Sequence, residues 1–286
     1  MSNFAFPSKQ HSIKSTYFGM LHFAKKFLYK NKDLAFKLEN IPLTYWVHSN
    51  TYFSKQLTKF GAYEAENSNW VLNNFMNNKV IGGLFVDVGA NFGWYSLILS
   101  LCAGDEGRVV SIEPEPENLR LLKKNIDINK AHNISVIPAG VGAANGDAKL
   151  ALNDKWNPGM HSLRNDLDSK NTVNIKINTL DSVLKDYPGE IELLKMDIEG
   201  FEVDALMGAS ETLSRTKKVM IEFTPKFIRA CGRDPSDLLN IFDRYKFLPY
   251  LIKDGELMLC NHQFLMEIDS RLAHQKNLLQ TLPPVR

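Results

Sequence analysis

One stretch limits what this chain can fold into. Leu84-Phe85-Val86-Asp87-Val88 is a short, almost wholly apolar run that stops at Gly89. Gly93 then closes a GxxxG turn, after which Trp94, Leu97, Ile98, Leu101 and Cys102 fall on one helical face. A buried strand, a glycine turn and a helix in that order open a βαβ unit. Gly104 and Gly107 end the helix, and Val109, Val110 and Ile112 make a second strand ending at Glu113. Leu119, Leu122 and Ile126 stripe the next helix. Strands joined through a helix run parallel, so the sheet needs helices on both faces.

The same rhythm continues. A third strand is expected at Ile134 to Ile137, a fourth at Ile191 to Ile198 and a fifth at Val219 to Phe223. Between the third and fourth, alternating stretches at Lys149 to Asn153 and Thr172 to Ile177 read as antiparallel strands beside the main sheet, around a loop carrying Asn157, Pro158, Gly159 and His161. Phe201, Ala205, Leu206, Ala209 and Leu213 share a helix side, and Asp234-Pro235 is an N-cap and first-turn pair for a helix striped by Leu238, Ile241, Phe242 and Tyr245. Phe247 to Ile252 and Glu256 to Cys260, joined at Asp254-Gly255, predict a terminal hairpin, with Pro249 pointing to an edge or a bulge. The polar tail after Asp269 is expected to be loosely held.

Composition excludes several classes. The 34 basic and 32 acidic side chains among 286 residues leave a net charge of +2, with no global field for a nucleic acid. Cys102, Cys231 and Cys260 lie too far apart for a disulfide scaffold or a common zinc site, so a reducing cytoplasm is the default expectation. No run reaches the length of a membrane span, and no secretory signal opens the chain. Charge is nevertheless uneven, because residues 1 to 40 carry seven lysines against Asp33 and Glu39. Tyr17 to Lys32 is amphipathic and basic: it either caps the protein's own core or makes a weak peripheral contact with an anionic membrane.

The chemistry concentrates in two places. In Val86 to Gly93 the turn residues Gly89, Asn91 and Gly93 allow a sharp bend and a close approach to the backbone, and the helix behind offers free N–H groups. Glu113, 24 residues after Gly89, ends the next strand, where an acid accepts hydrogen bonds from ribose hydroxyls. The turn lacks the third glycine of a dinucleotide fingerprint, and Asp87 would repel a pyrophosphate. The same carboxylate suits the cationic S-adenosylmethionine (SAM), as a direct partner or by ordering the loop amides. The second place is Leu194-Lys195-Met196-Asp197-Ile198-Glu199-Gly200-Phe201-Glu202, at the carboxyl end of the fourth strand. There Asp197 and Glu199 face the reacting end of the pocket. The competing structural reading is an ion-pair network with Lys195 and a helix-start acid at Glu202. A Mg²⁺ site from Asp197, Glu199 and Glu222 is conceivable, but sequence fixes no geometry, and no metal is expected.

Several pieces together resemble the FkbM-type SAM-dependent methyltransferases: Tyr63-Glu64, Phe85 to Gly93, Glu113-Pro114, Gly159 to Leu163, Thr179-Leu180-Asp181, Leu194 to Glu202, Leu206 to Ala209 and Ile221-Glu222-Phe223. The resemblance covers roughly residues 63 to 250. It implies a class I methyltransferase, Rossmann-like α/β fold: a mostly parallel sheet with helices on both faces, a small antiparallel insertion and an N-terminal extension. It also implies SAM as cofactor, with the Gly89 turn on the methionine part and Glu113 on the ribose, and an acceptor hydroxyl on a sugar or polyketide-like molecule. His161 departs from the family's G-x-S-S-L-like segment, and the first 60 residues match nothing in it. The expected organisation is an extension at 1–62, a methyltransferase domain at 63–262 and a tail at 263–286.

An alcohol must lose a proton during methyl transfer, and His161, Asp197 and Glu199 are the candidate bases. Phe92, Trp94 and Tyr95 are available to shield a sulfonium, although Trp94 also lies on the presumed core face. Two other readings stay open. An NAD-dependent oxidoreductase or epimerase is disfavoured by the missing GxGxxG and the absence of a Tyr-x-x-x-Lys pattern at any tyrosine; a non-catalytic SAM-binding accessory protein would keep the pocket and lose the acceptor site.

Overall fold

A computed structural model describes residues 5–6, 32–76, 80, 82–152, 172–271 and 276–281. The loop holding Asn157 to His161 and the amphipathic segment up to residue 31 lie outside the described residues. The first elements form a hairpin, β1 (Asp33–Lys37) and β2 (Thr44–His48), followed by α1 (Tyr52–Phe60). Thr51 and Ser54 cap α1 reciprocally, and Gly61 ends it in the left-handed region. Helix α2 (Ala65–Val71) runs into a π turn at Leu72–Met76.

The expected βαβ unit follows as β3 (Leu84–Val88), α3 (Trp94–Ala103) and β4 (Arg108–Ile112), then α4 (Pro116–Asn129) and β5 (Ile134–Ile137). Strands β6 (Gly140–Val141), β7 (Gly146–Ala151) and β8 (Thr172–Asn178) make a separate three-stranded sheet in the order β6-β8-β7. After α5 (Leu180–Leu184) come β9 (Ile191–Met196), α6 (Glu202–Met207), α7 (Ser210–Ser214), β10 (Lys218–Phe223), α8 (Pro225–Ala230) and α9 (Pro235–Arg244). The chain continues through β11 (Leu248–Lys253), β12 (Glu256–Leu259), α10 (His262–Arg271) and β13 (Lys276–Thr281).

The main sheet has eight strands in the order β12-β11-β13-β10-β9-β3-β4-β5. From β10 to β5 all pairings are parallel. Chain order reverses between β3 and β9, because β3 proceeds to β4 on one side while β9 joins later on the other. That makes the carboxyl ends of β3 and β9 the switch point at which an open α/β sheet forms a crevice.

Two expectations need correction at the C-terminal side. Residues 276–281 are no loose tail: β13 is an interior strand, antiparallel to both β10 and β11. Strand β11 is accordingly not an edge. Pro249 is tolerated because its missing N–H lies just past the β11–β12 ladder, which starts at Tyr250, while its carbonyl accepts the Cys260 N–H at 2.9 Å.

Strand alternation divides the core into two layers. Val86, Val88, Leu194, Met196 and Ile221 point to one face, with Leu180, Leu206, Leu213, Leu238 and Phe242. Phe85, Leu193 and Met220 point to the other, with Trp94, Leu97 and Ile98 of α3 and with Tyr45, Val47, Phe53 and Leu57 of the N-terminal elements. The hairpin is fastened to α4 by two asparagines. Asn125 accepts from Trp46 N–H at 2.6 Å and donates to Trp46 O at 3.0 Å, and Asn129 brackets Thr44 in the same way at 2.8 and 2.7 Å. Among the described residues no helix is long and apolar enough to cross a membrane.

Candidate active site

The turn after β3 is held to the end of β4 by its backbone. The Gly89 and Ala90 N–H groups both donate to Ile112 O, at 3.0 and 3.1 Å, and the Asn91 N–H donates to Glu113 Oε2 at 2.8 Å. Gly89 and Gly93 have φ of +75° and +91°, and Asn91 joins them in the left-handed region at +52°. The space their missing side chains leave is filled by protein. A Cβ at Gly89 would overlap the Asp197 carbonyl oxygen, and one at Gly93 would sit 2.6 Å from Leu122 Cδ1. Gly89 thus lets β3 and β9 meet at the switch point, and Gly93 lets α3 start against α4.

Glu113 is the keystone of this turn. Besides Asn91 it accepts from the Glu115 N–H at 2.9 Å and from Asn118 Nδ2 at 3.4 Å, both on Oε1. Burial pushes its carboxyl up to about 7, although those amides pull it down. Glu113 lines an open cleft of about 610 Å³ with Gly89, Asn91, Pro114, Asn118 and the apolar Ile112, Val141, Leu150 and Ile175. The antiparallel pair β7–β8 of the small sheet, in which β6 runs parallel to β8, supplies Leu150 and Ile175, so the inserted strands close the cleft's far wall.

Asp87 lies on the other side of the turn. Alternation turns it toward α3, where it sits in register between Ser111 of β4 and Lys195 of β9. Its Oδ2 accepts from Ser96 Oγ at 2.6 Å, and Ser96 in turn accepts from Ser111 Oγ at 2.8 Å. Its Oδ1 is buried with no hydrogen-bond partner. Asp87 does not order the loop amides, which are spent on Ile112 and Glu113. Burial raises its pKa while the Lys195 charge opposes the rise.

Lys195 is buried, 3.4 Å from Asp197 Oδ2, with its ammonium 4.9 Å from the Tyr95 ring centroid. Burial works against that charge, yet Asp197, Asp87 and Glu64 outweigh it and hold the pKa above the ordinary lysine value. The Lys195–Asp197 ion pair read from the sequence is therefore present. Glu202 completes the β9 turn by accepting the Ile198 N–H at 3.0 Å, and burial raises its carboxyl to about 7.

Asp197, Glu199 and Glu222 come together, each presenting a carboxylate oxygen within 4.8 Å of the others. Burial and the Asp197 and Glu199 charges drive Glu222 well above the usual carboxylate range, favouring its protonated form. These hard oxygen donors have the chemistry Mg²⁺ takes. Glu199 reaches its place through a left-handed φ of +57° beside Gly200. His161, the third candidate base, lies outside the described residues.

A second compartment of about 780 Å³ adjoins the cleft, lined by Tyr52, Phe53, Tyr63, Asp87, Tyr95 and Lys195 among others. Gly89, Asn91, Asp197 and Glu199 line both spaces; Gly93 lines neither. Trp94 is buried in the core, donating its Nε1–H to Ser68 Oγ at 2.9 Å, and also borders the second compartment, as do Phe92 and Tyr95. Tyr52 and Phe53 are contributions that sequence reasoning missed, since α1 carries no chemical motif; Tyr63-Glu64 and the aromatic Phe92, Trp94 and Tyr95 were the signals available for this compartment. A positively charged nucleoside fits what is present: a carboxylate with acceptor capacity left at one end, apolar side chains beside it, and a buried unpartnered Asp87 oxygen at the other.

A family model described as the methyltransferase FkbM domain matches residues 87–249. The hexuronic acid methyltransferase AglP of Haloferax volcanii is 26% identical over 172 residues, 58% of this chain and 64% of that protein. Methyltransferase 1 of Beauveria bassiana is 24% identical over 147 residues, 44% of this chain and 58% of that one. The chain therefore spans less than two thirds of the length of either relative. Among solved structures, a methyltransferase FkbM from Methylobacillus flagellatus aligns with 19% identity and a TM-score of 0.44, over 79% of this chain and 52% of that chain.

Proposed function

The chain belongs to the methyltransferase FkbM domain family, and from that premise we propose that it moves a methyl group from SAM to a hydroxyl oxygen of a saccharide or related small molecule. The observation that carries this reading is the junction of the two compartments at Gly89, Asn91, Asp197 and Glu199. The adenosine belongs in the cleft, its ribose hydroxyls donating to Glu113 and its base between Ile112, Val141, Leu150 and Ile175. The cationic amino end of the ligand is assigned to the unpartnered Asp87 oxygen. When bound, SAM supplies a methyl carbon made electrophilic by its sulfonium.

Asp197 is the base of this proposal. It faces both compartments, and the Lys195 ammonium holds it from one side at 3.4 Å. Its carboxylate takes the acceptor's hydroxyl proton as the oxygen becomes an ether. Glu199 shapes the acid wall beside it. The carbohydrate class draws on the hexuronic acid named for the Haloferax relative. A cytoplasmic setting draws on the three free cysteines, two of them buried.

Titration calorimetry with SAM and NAD, followed by transfer of labelled methyl to a glycan extract, tests the reading. SAM binding without NAD binding, and label in a hydroxyl-bearing acceptor, is the expected result. NAD binding in place of SAM would refute it, and SAM binding with no transfer to any acceptor would leave an accessory protein.

A further inference from the structure

The second compartment carries a chemical selectivity of its own. Its outer wall is aromatic: Tyr52 at the rim is 42% exposed, and behind it Phe53 meets Tyr63 edge to face at 4.8 Å. Its floor is polar: Asp87 takes the amino end of the cofactor, which leaves Asp197, Glu199 and Lys195 to the acceptor. Flat apolar surface beside fixed hydrogen-bond acceptors suits a sugar ring, which has one C–H-rich face and a rim of hydroxyl donors.

Charge narrows the class further. Among the described lining residues Lys195 is the lone cation, and it is already committed; with Asp87 taken by the cofactor, two carboxylates, Asp197 and Glu199, face an acceptor. It is 5% exposed, pairs with Asp197 at 3.4 Å and lies in register beside Asp87. A carboxylate or phosphate entering here would lose its water, meet like charges and find no fork of donors to receive it. Hydroxyl groups meet the opposite situation, because an ionised carboxylate is an acceptor with room for several donors.

We propose that the end of this compartment walled by Tyr52, Phe53 and Tyr63 and floored by Asp197 and Lys195 is the acceptor site, the Asp87 end being the cofactor's, and that it takes a saccharide whose reacting ring carries no anionic group. The N-terminal elements thereby set acceptor choice while the sheet sets the cofactor. This inference rests on the methyltransferase reading, and the experiment separates the two.

The full chain is first titrated with SAM, then incubated with labelled SAM and a panel of neutral, amino, uronic and phosphorylated oligosaccharides. SAM binding with label confined to neutral or amino sugars is expected. Tyr52→Ala should then raise the acceptor KM about tenfold with SAM affinity within twofold of the parent; Tyr52 is exposed enough for the variant to fold. Tyr52→Arg should admit uronic acceptors. Label chiefly in uronic or phosphorylated sugars, label in no sugar, or an unchanged acceptor KM in Tyr52→Ala would overturn the acceptor proposal while leaving SAM binding intact. Failure of SAM to bind would instead remove the reading beneath it.

Discussion

The cofactor cleft and the acceptor compartment share four residues yet are made by different means. The cleft is built from backbone: amides of the Gly89 turn donate to Ile112 and Glu113, and glycines stand where any side chain would strike Asp197 or Leu122. The acceptor compartment is built from side chains, with rings from α1 and the segment after it closing over acids at the end of β9. A site made of backbone geometry tolerates few substitutions and leaves fixed marks in a sequence, whereas a wall of rings tolerates many and leaves none.

Substitutions can break this contrast, and the largest effect is expected at Gly89. Gly89→Ala places a methyl on the Asp197 carbonyl at a positive φ, so it should cost at least ~3 kcal/mol and show as lost soluble protein or a sharply lowered Tm. A variant that melts like the parent would show that the switch point yields easily. Next, Asp197→Asn should lower kcat about a hundredfold or more in labelled-methyl assays, with a much smaller change in SAM affinity, as removal of a general base requires. Equal losses in both would make Asp197 a cofactor contact. Glu113→Ala and Asp87→Ala should each weaken SAM binding at least tenfold, about 1.4 kcal/mol, by calorimetry; normal affinity in both would void the cleft assignment.

The smallest effect is in pH. With Glu113 raised to about 7, its carboxylate becomes available to ribose donors only as pH climbs through neutrality, so SAM affinity should rise between pH 6 and 8 and flatten in Glu113→Gln. The stability term has the opposite slope. Glu113 and Glu202 keep their protons in the folded state above the pH at which the unfolded chain releases them. Their contribution therefore falls as pH rises from about 4.5 to about 7, measurable as a declining Tm that Glu202→Gln should blunt.

The βαβ succession, the strand that ends in Gly89 and the acid at Glu113 were legible because parallel strands buried on both faces must be short and apolar, and their turns must be tight. Asp87 was legible as a charge in an apolar run, but its orientation toward Ser96 depends on which face α3 covers, a tertiary fact. Lys195 read only as an ion-pair partner, since its place beside Asp87 follows from the β3–β9 register across more than a hundred residues. Tyr52 and Phe53 carried no signal, because an aromatic on an amphipathic helix is ordinarily core. The segment at 276–281 misled for a related reason: a polar, proline-flanked stretch resembles a tail until the gap between two strands is known.

That gap has a consequence for how the molecule is made. Strands β10 and β11 can pair with nothing between them until β13 arrives, so the widest sheet of the protein stays split while the earlier strands have already been synthesised. Two raw borders are exposed during that interval, and they are borders of the kind that recruit foreign strands. The cofactor crevice, three strands away at β3, can assemble before this seam is sewn, which would leave a nascent chain able to grip its nucleoside before its architecture is finished.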